Sequence, residues 1–193
     1  MTSPLSHTAH DDAPLSAAKN PNPIAADDEL ASRPGDVLIG RSVTINRGRE
    51  ELYAFWRDFK NLPRFMHNVH GVAITDQSHS HWIIEAPGGK TVEWDSQITQ
   101  DEPGRLIAWQ SLEGASVRNS GKVEFLDSPD DRGTVVRVTL TYDPPAGAVG
   151  KLIARLFQKE PKVQARQDLR RFKQLMETGE IATARPPDAA PRA

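Results

Sequence analysis

The chain has 193 residues, a formal net charge of −2 and no cysteine, which excludes disulfides, thiolate catalysis and cysteine metal ligands. Its basic residues are scattered rather than gathered into a stripe with aromatic residues, so we expect no nucleic-acid partner. No stretch approaches the roughly 18–20 apolar residues of a membrane-spanning helix, and the start of the chain lacks the pattern of a secretory signal. We therefore expect a soluble, cytoplasmic protein.

The two ends of the chain differ in composition from its middle. Residues 1–36 contain five prolines and several acidic residues without any apolar period, and residues 181–193 are rich in alanine, proline and arginine. Such segments bury too little apolar surface to offset the loss of chain entropy. Both are predicted to be disordered, as an N-terminal arm and a C-terminal tail around one folded domain at 37–180.

The folded domain is predicted to begin with a strand at 37–46 and two short helices within 49–66. Asn46 is a candidate N-cap for the first helix because its side-chain oxygen can accept from a first-turn amide. A stripe at the helical spacing i, i+3, i+4 and i+7 follows, formed by Leu52, Phe55, Trp56 and Phe59. The prolyl turn at 61–63 then starts the second helix, which carries Phe65 and Met66.

Six closely spaced strands are predicted over 69–143, separated by turns rich in glycine, proline and aspartate. In the last two strands apolar and polar residues alternate, with Val117–Phe125 and Val136–Tyr142 each presenting one apolar face. The opposing residues, which include Lys122, Thr139 and Thr141, are predicted to face water. One buried and one wet face are typical of a half-covered antiparallel sheet.

A long amphipathic helix is predicted at about 147–178. Pro161 lies inside it, and since proline removes a backbone hydrogen bond, we expect a break near 158–161 and a second helical segment from there. Gly179 is the expected C-cap. The order of elements predicts an α+β fold in which a seven-stranded curved antiparallel sheet wraps a long C-terminal helix and encloses an apolar cavity.

Several segments together resemble one known family. They are 42–46, 53–59, 61–66, 92–95, 107–111, 121–125 and 168–173, and they span nearly the whole folded part. The chain resembles the START-like (SRPBCC) helix-grip superfamily, and most closely its bacterial polyketide cyclase/dehydrase branch with a coenzyme Q-binding START-type domain. The resemblance implies the helix-grip fold and a cavity for a hydrophobic ligand. It implies no particular substrate, because one fold hosts enzymes, carriers and regulators.

Ten residues lie on the elements that would enclose the cavity and are the candidate ligand-binding residues: Trp56, Phe65, Met66, Trp82, Trp94, Trp109, Asn119, Tyr142, Phe157 and Phe172. Core filling alone would also explain the aromatic residues. The strand pattern does not decide which sheet face carries Trp94 and Trp109. Asn119 shares the inner face of its strand, so its amide is expected to bind either a ligand carbonyl or the neighbouring backbone.

Other polar groups are weighed against simpler explanations. His67, His70, His79 and His81, with Glu93 or Asp95, could form a two-histidine, one-carboxylate site, but exposed histidines are favoured, so no metal and no cofactor are predicted. Glu93 and Asp95 could act in acid–base catalysis, but a solvated face is favoured and no catalytic residue is assigned. The basic residues Arg166, Arg170, Arg171 and Lys173 indicate an exposed helix face rather than transient contact with an anionic membrane surface.

Three functions remain open from the sequence. The first is a non-catalytic carrier or sequestering domain for a hydrophobic molecule such as a quinone, isoprenoid, lipid or polyketide-like aromatic. The second is a cyclase or dehydratase that uses the same cavity. The third is a stress-associated regulatory domain in which the N-terminal arm recruits a partner. The sequence favours the first, and it does not predict the oligomeric state.

Overall fold

In the computed structural model, the residues described are 37–86, 89–143 and 161–182. They form seven strands and two α-helices with two short 3₁₀ helices. The elements in chain order are β1 (Val37–Ile45), α1 (Arg49–Arg57), a 3₁₀ helix (Phe59–Arg64), β2 (Val69–Ile74), β3 (His79–Ala86), β4 (Lys90–Glu102), β5 (Leu106–Ser111), β6 (Asn119–Asp127), a second 3₁₀ helix (Pro129–Asp131), β7 (Thr134–Tyr142) and α2 (Pro161–Thr178).

The strands form one antiparallel sheet in the order β1-β7-β6-β5-β4-β3-β2. Consecutive strands from β2 to β7 are neighbours, so short hairpins build most of the sheet, and only β1 joins out of sequence, against β7. This is the predicted seven-stranded α+β helix-grip fold, and the prediction is confirmed.

The helix α2 packs its apolar side on the inner face of the sheet, where Leu169, Phe172 and Leu175 are buried. Its C-terminal half is fastened to the end of β1 by polar contacts. Lys173 Nζ donates to the Thr44 carbonyl at 2.7 Å, and the Asn46 backbone N–H donates to Glu177 Oε1 at 2.7 Å. These contacts hold one end of the helix against the sheet.

An aromatic cluster fills the space between α1, α2 and the sheet. The Phe172 ring lies 5.0 Å from that of Trp56 and 4.7 Å from that of Phe65, and the Trp56 ring meets Phe125 edge-on at 6.3 Å. Rings at such separations add to the free energy gained by burial. Of the apolar stripe predicted for the first helix, Leu52 and Trp56 are buried in α1 and Phe55 is partly buried beside them. Phe59 is also buried, but it lies in the 3₁₀ helix that follows α1.

Two local predictions are wrong. The N-cap of α1 is Gly48, and no side chain caps it. Asn46 lies two residues earlier and its backbone bonds instead to Glu177, a contact between residues 131 positions apart that local pattern does not reveal. The second helix is a 3₁₀ helix that ends at Arg64, so Phe65 and Met66 follow it rather than lie within it.

The predicted alternation holds along β6, but the outer face of β7 is not wet throughout. Thr139 and Thr141 point away from the cavity and are only 1% and 3% exposed. Thr139 lies opposite Lys122, whose side chain is itself only 15% exposed. Long side chains can cover a sheet face with their stems, so a polar residue in an alternating pattern need not face water.

The predicted second segment of the closing helix is confirmed, because α2 begins at Pro161 and ends at Thr178. Gly179 has φ of +83° and its N–H donates to the Leu175 carbonyl at 2.9 Å, as expected for a C-terminal glycine cap. The first segment, the N-terminal arm and the tail from 183 onward lie outside the described residues. Ile181 packs against the core, one residue beyond the predicted boundary.

Candidate functional site: an apolar cavity under the sheet

A cavity of about 190 Å³ lies between the inner face of the sheet, the first 3₁₀ helix and α2. It is smaller than the roughly 300–1,000 Å³ of pockets for drug-sized ligands and comparable to the roughly 150 Å³ that admits benzene. The described walls are mainly apolar. In this state the cavity has room for one small ring system or the end of a longer apolar molecule.

Seven of the ten predicted residues line the cavity: Trp56, Met66, Trp82, Trp94, Trp109, Asn119 and Tyr142. Phe65 and Phe172 lie beside it in the aromatic cluster, where both are fully buried against Trp56. They support the wall from behind because their rings fill the gap between the helices. Phe157 lies outside the described residues.

Trp82 and Trp94 are directly opposite each other on β3 and β4, on the inner face. Their polar atoms differ in environment. Trp82 Nε1 donates to Ser80 Oγ at 2.9 Å, whereas Trp94 Nε1 is buried with no partner among the described residues. A buried indole N–H usually has a hydrogen-bond partner. Burial of the Trp94 N–H therefore costs free energy that the hydrogen bond of Trp82 offsets.

Trp109 owes its position to a glycine on the next strand. It lies opposite Gly121, and a Cβ at that residue would come within 2.5 Å of the Trp109 ring and 2.9 Å of the Thr139 carbonyl oxygen. Any larger residue at position 121 would therefore push the indole out of place. The register shows what the strand pattern left open, which is that Trp94 and Trp109 both face inward.

Asn119 and Tyr142 form a polar corner where β6 meets β7. The Asn119 amide was expected to bind either a ligand carbonyl or the neighbouring backbone. In the structure it binds the backbone, because Nδ2 donates to the Val117 carbonyl at 3.1 Å. The Tyr142 ring lines the cavity, and burial raises the pKa of its hydroxyl. The phenol therefore stays protonated at neutral pH and can donate a hydrogen bond.

Asp168 brings a carboxyl group to the cavity from α2. Its Oδ1 accepts from Gln164 Nε2 at 2.9 Å and from the His67 backbone N–H at 3.2 Å, so two elements hold its orientation. Burial raises the pKa of Asp168 above its usual range, although these hydrogen bonds and the nearby Arg171 oppose the effect. A carboxyl with increased proton affinity in an apolar cavity is a typical functional group.

Asp168 and Gln164 line the cavity although the sequence did not predict them there. The basic residues on either side of Asp168 dominate the local composition, so the sequence was interpreted there as an exposed basic face. The helical spacing could have predicted the position of Asp168 and Gln164, since residues 164, 165, 168, 169 and 172 lie on one side of a helix. An acidic residue on the same side of the helix as buried apolar residues is expected to face the interior of the domain.

The histidines and paired carboxylates lie elsewhere. His79, the first residue of β3, contacts Asp76 in the preceding turn. On the outer face of the sheet, His81 Nδ1 lies 2.8 Å from Asp95 Oδ1, and its Nε2 lies 3.4 Å from Glu93 Oε2. Both carboxylates are largely exposed and point away from the cavity. Among residues 37–86, 89–143 and 161–182, no group of three or more histidine or carboxylate side chains is arranged to hold a metal ion.

The basic side of α2 divides into two parts. Arg166 and Arg170 are exposed, whereas Lys173 is tied to the Thr44 carbonyl and to Glu177 at 3.1 Å. In the part of the chain that is described, no helix has the length and apolar character needed to cross a bilayer.

The fold and the cavity define a class of protein, the START-like helix-grip domains. The sequence matches the family described as polyketide cyclase/dehydrase and lipid transport over residues 45–170, which is more than half of the chain. The protein belongs to that family. Together with the apolar walls of the cavity, this membership indicates a domain that binds hydrophobic molecules.

Three similar proteins illustrate the range of the match. A Deinococcus radiodurans protein of known crystal structure is 42% identical, with a TM-score of 0.62 over 74% of this chain and 98% of that one. An uncharacterized 17.2 kDa protein of Streptomyces lincolnensis is 28% identical over 72% of this chain and 89% of its own. The Zhui aromatase/cyclase of Streptomyces sp. R1128 is 15% identical, with a TM-score of 0.57 over 76% of this chain and 99% of that one. The last of these is a likeness of fold alone.

Proposed function

We propose that the domain carries or sequesters a hydrophobic small molecule, such as a quinone, an isoprenoid, a lipid or a polyketide-like aromatic, in the cavity under the sheet. The supporting observation is that three tryptophans from three neighbouring strands line one apolar space. Burial of ligand surface against such walls provides affinity at roughly 25 cal/mol per Å². The few polar groups would orient the ligand.

Native mass spectrometry of the freshly purified chain, followed by solvent extraction, tests this proposal directly. We expect a bound apolar molecule of one chemical class. The neutral dye N-phenyl-1-naphthylamine provides a second readout, because its fluorescence rises when it enters an apolar site. A protein that carries no extractable molecule and leaves the dye in water would contradict the proposal.

A matched pair of variants on α2 locates the binding site. Ala165 lines the cavity, whereas Gln167 is exposed on the same helix. Ala165→Phe should occupy the space and weaken dye binding by about tenfold or more, while Gln167→Phe should leave it unchanged. Equal effects of the two variants would place dye binding outside the cavity.

A second candidate function is a cyclase or dehydratase activity, and the observation that favours it is Asp168. Ring closure by aldol condensation removes a proton from carbon, forms a carbon–carbon bond and then loses water. The Asp168 carboxylate, whose proton affinity is raised, can take that proton and give it to the new alkoxide. It can then take a second proton from the same carbon and give it to the hydroxyl, which departs as water. The similarity of fold to an aromatase/cyclase agrees with this chemistry.

The activity is tested by incubating the protein with a poly-β-ketone mimic and following the loss of one water by mass spectrometry. The wild-type chain should accelerate the loss, and Asp168→Asn should abolish the acceleration while it still binds the neutral dye. If both chains leave the mimic unchanged, the cavity serves for binding alone.

A further inference from the structure

Asp168 is the one charged side chain among the described residues that line the cavity. The remaining described walls are apolar or uncharged, and none of them carries a lysine, arginine or histidine. Within these described walls, a ligand therefore meets a single acidic group on α2, opposite the tryptophans of the sheet.

The two oxygens of Asp168 are used unequally. Oδ1 accepts from Gln164 Nε2 at 2.9 Å and from the His67 backbone N–H at 3.2 Å. Oδ2 accepts from the same Gln164 nitrogen, at 3.1 Å, and from no other described group. A carboxylate has about four acceptor positions, so Oδ2 keeps the larger share of unused capacity.

Two basic residues beyond the cavity wall, Arg171 and His67, act to lower the pKa of Asp168. Arg171 lies one turn further along α2, and His67 follows the first 3₁₀ helix. Neither lines the cavity, and burial outweighs their effect, because the net shift raises the pKa of Asp168. Neither group is therefore placed to receive an anionic head group inside the cavity.

Resting on the proposed binding function, we propose that Asp168 selects uncharged apolar molecules that carry a hydroxyl group and excludes apolar anions such as fatty acids. A phenol, a quinol or an isoprenoid alcohol can donate to Oδ2 while its apolar part lies against the tryptophans. A carboxylate ligand would bring a second negative charge into surroundings of low dielectric constant, where like charges repel strongly. Among the described walls it would also find no cation to replace its lost hydration.

Three probes with one ring system separate these effects: 2-naphthol, 2-methoxynaphthalene and 2-naphthoate. Calorimetric titration of the full 193-residue chain at about pH 8 keeps the carboxylate probe ionised. We expect naphthol to bind about 10- to 100-fold more tightly than the methoxy compound, since a hydrogen bond to a charged group is lost in the latter. Naphthoate should bind most weakly.

Two variants then assign the selectivity to Asp168. Asp168→Leu should bind naphthol and methoxynaphthalene equally, and Asp168→Asn, which keeps the shape of the side chain, should bind naphthoate about tenfold more tightly than the wild type. Asp127→Asn is the matched control because Asp127 is exposed at the end of β6, and it should leave all three affinities unchanged.

The possible failures are distinct. If the wild-type chain binds none of the three probes and also fails to bind the neutral dye, the proposed function is wrong and the inference falls with it. If the wild type binds all three probes equally and Asp168→Asn changes none of them, the binding function stands and the role of Asp168 is wrong. If Asp168→Leu fails to fold, naphthoate binding by Asp168→Asn still tests the role of Asp168: tighter binding than in the wild type supports that role, and unchanged binding contradicts it.

Discussion

At β3 and β4, the two faces of the sheet use their polar groups in opposite ways. On the inner face the polar groups are few and sheltered from water, as with the indole N–H of Trp94 and the carboxyl that Asp168 brings from α2. On the outer face, charged groups such as His81, Glu93 and Asp95 pair in contact with solvent. A buried polar group strongly affects stability or binding, whereas an exposed ion pair adds little. Function should therefore be sensitive to the inner face and nearly indifferent to the outer one.

The largest expected effect is the loss of a ring from the core behind the cavity. Phe172→Ala should destabilise the fold by about 3–5 kcal/mol, because the side chain is fully buried and contacts both Trp56 and Phe65. Urea unfolding followed by tryptophan fluorescence measures the change. Val163→Ala on the same helix is the control, because Val163 is 40% exposed and its truncation should change stability by less than about 0.5 kcal/mol.

The next effect concerns the placement of Trp109. Gly121→Ala should cost about 1–3 kcal/mol, because the added methyl group would collide with the indole and with the Thr139 carbonyl. Displacement of the indole should also weaken binding of the neutral dye. Gly40→Ala in β1 is the control, since a Cβ there meets nothing within 4 Å. Equal losses in the two variants would show that backbone effects, and not Trp109, are responsible.

The sequence predicted features that depend on one element, but it did not predict contacts between elements that are distant along the chain. The strands, the buried residues of α1 and the inward-facing residues of β6 were predictable, because within each of these elements the spacing of the apolar residues matches the side that is buried. The contact between Asn46 and Glu177 was not, because it depends on where α2 meets β1. The helical period does place Asp168 on the inner side of α2, but the contacts that hold its carboxyl group there were not predictable. Its environment is created by a turn about a hundred residues earlier, whose His67 backbone N–H donates to it.

A smaller effect should appear in the pH dependence of stability. The folded-state pKa of Asp168 is raised, so the folded chain holds this proton more tightly than the unfolded chain does. The favourable contribution is complete below the unfolded pKa, which is near 4, and is lost as pH rises through the folded value. Asp168→Asn cannot ionise and should flatten that part of the curve of unfolding free energy against pH. An identical curve for the variant and the wild type would mean that Asp168 titrates as an exposed carboxyl does.

The smallest expected effect lies on the outer face, at His81. Its hydrogen bond to Asp95, with help from Glu93, raises the pKa of the imidazole. The stabilisation is fully present below the unfolded histidine pKa, near 6.5, and disappears as pH rises through the folded value. Because the pair is partly exposed, His81→Gln should cost only a few tenths of a kcal/mol at about pH 5.5 and nothing at about pH 9.

The variant should bind the neutral dye as the wild type does at both pH values. Impaired binding would show that the outer face contributes to the ligand site, and the contrast between the two faces would then fail.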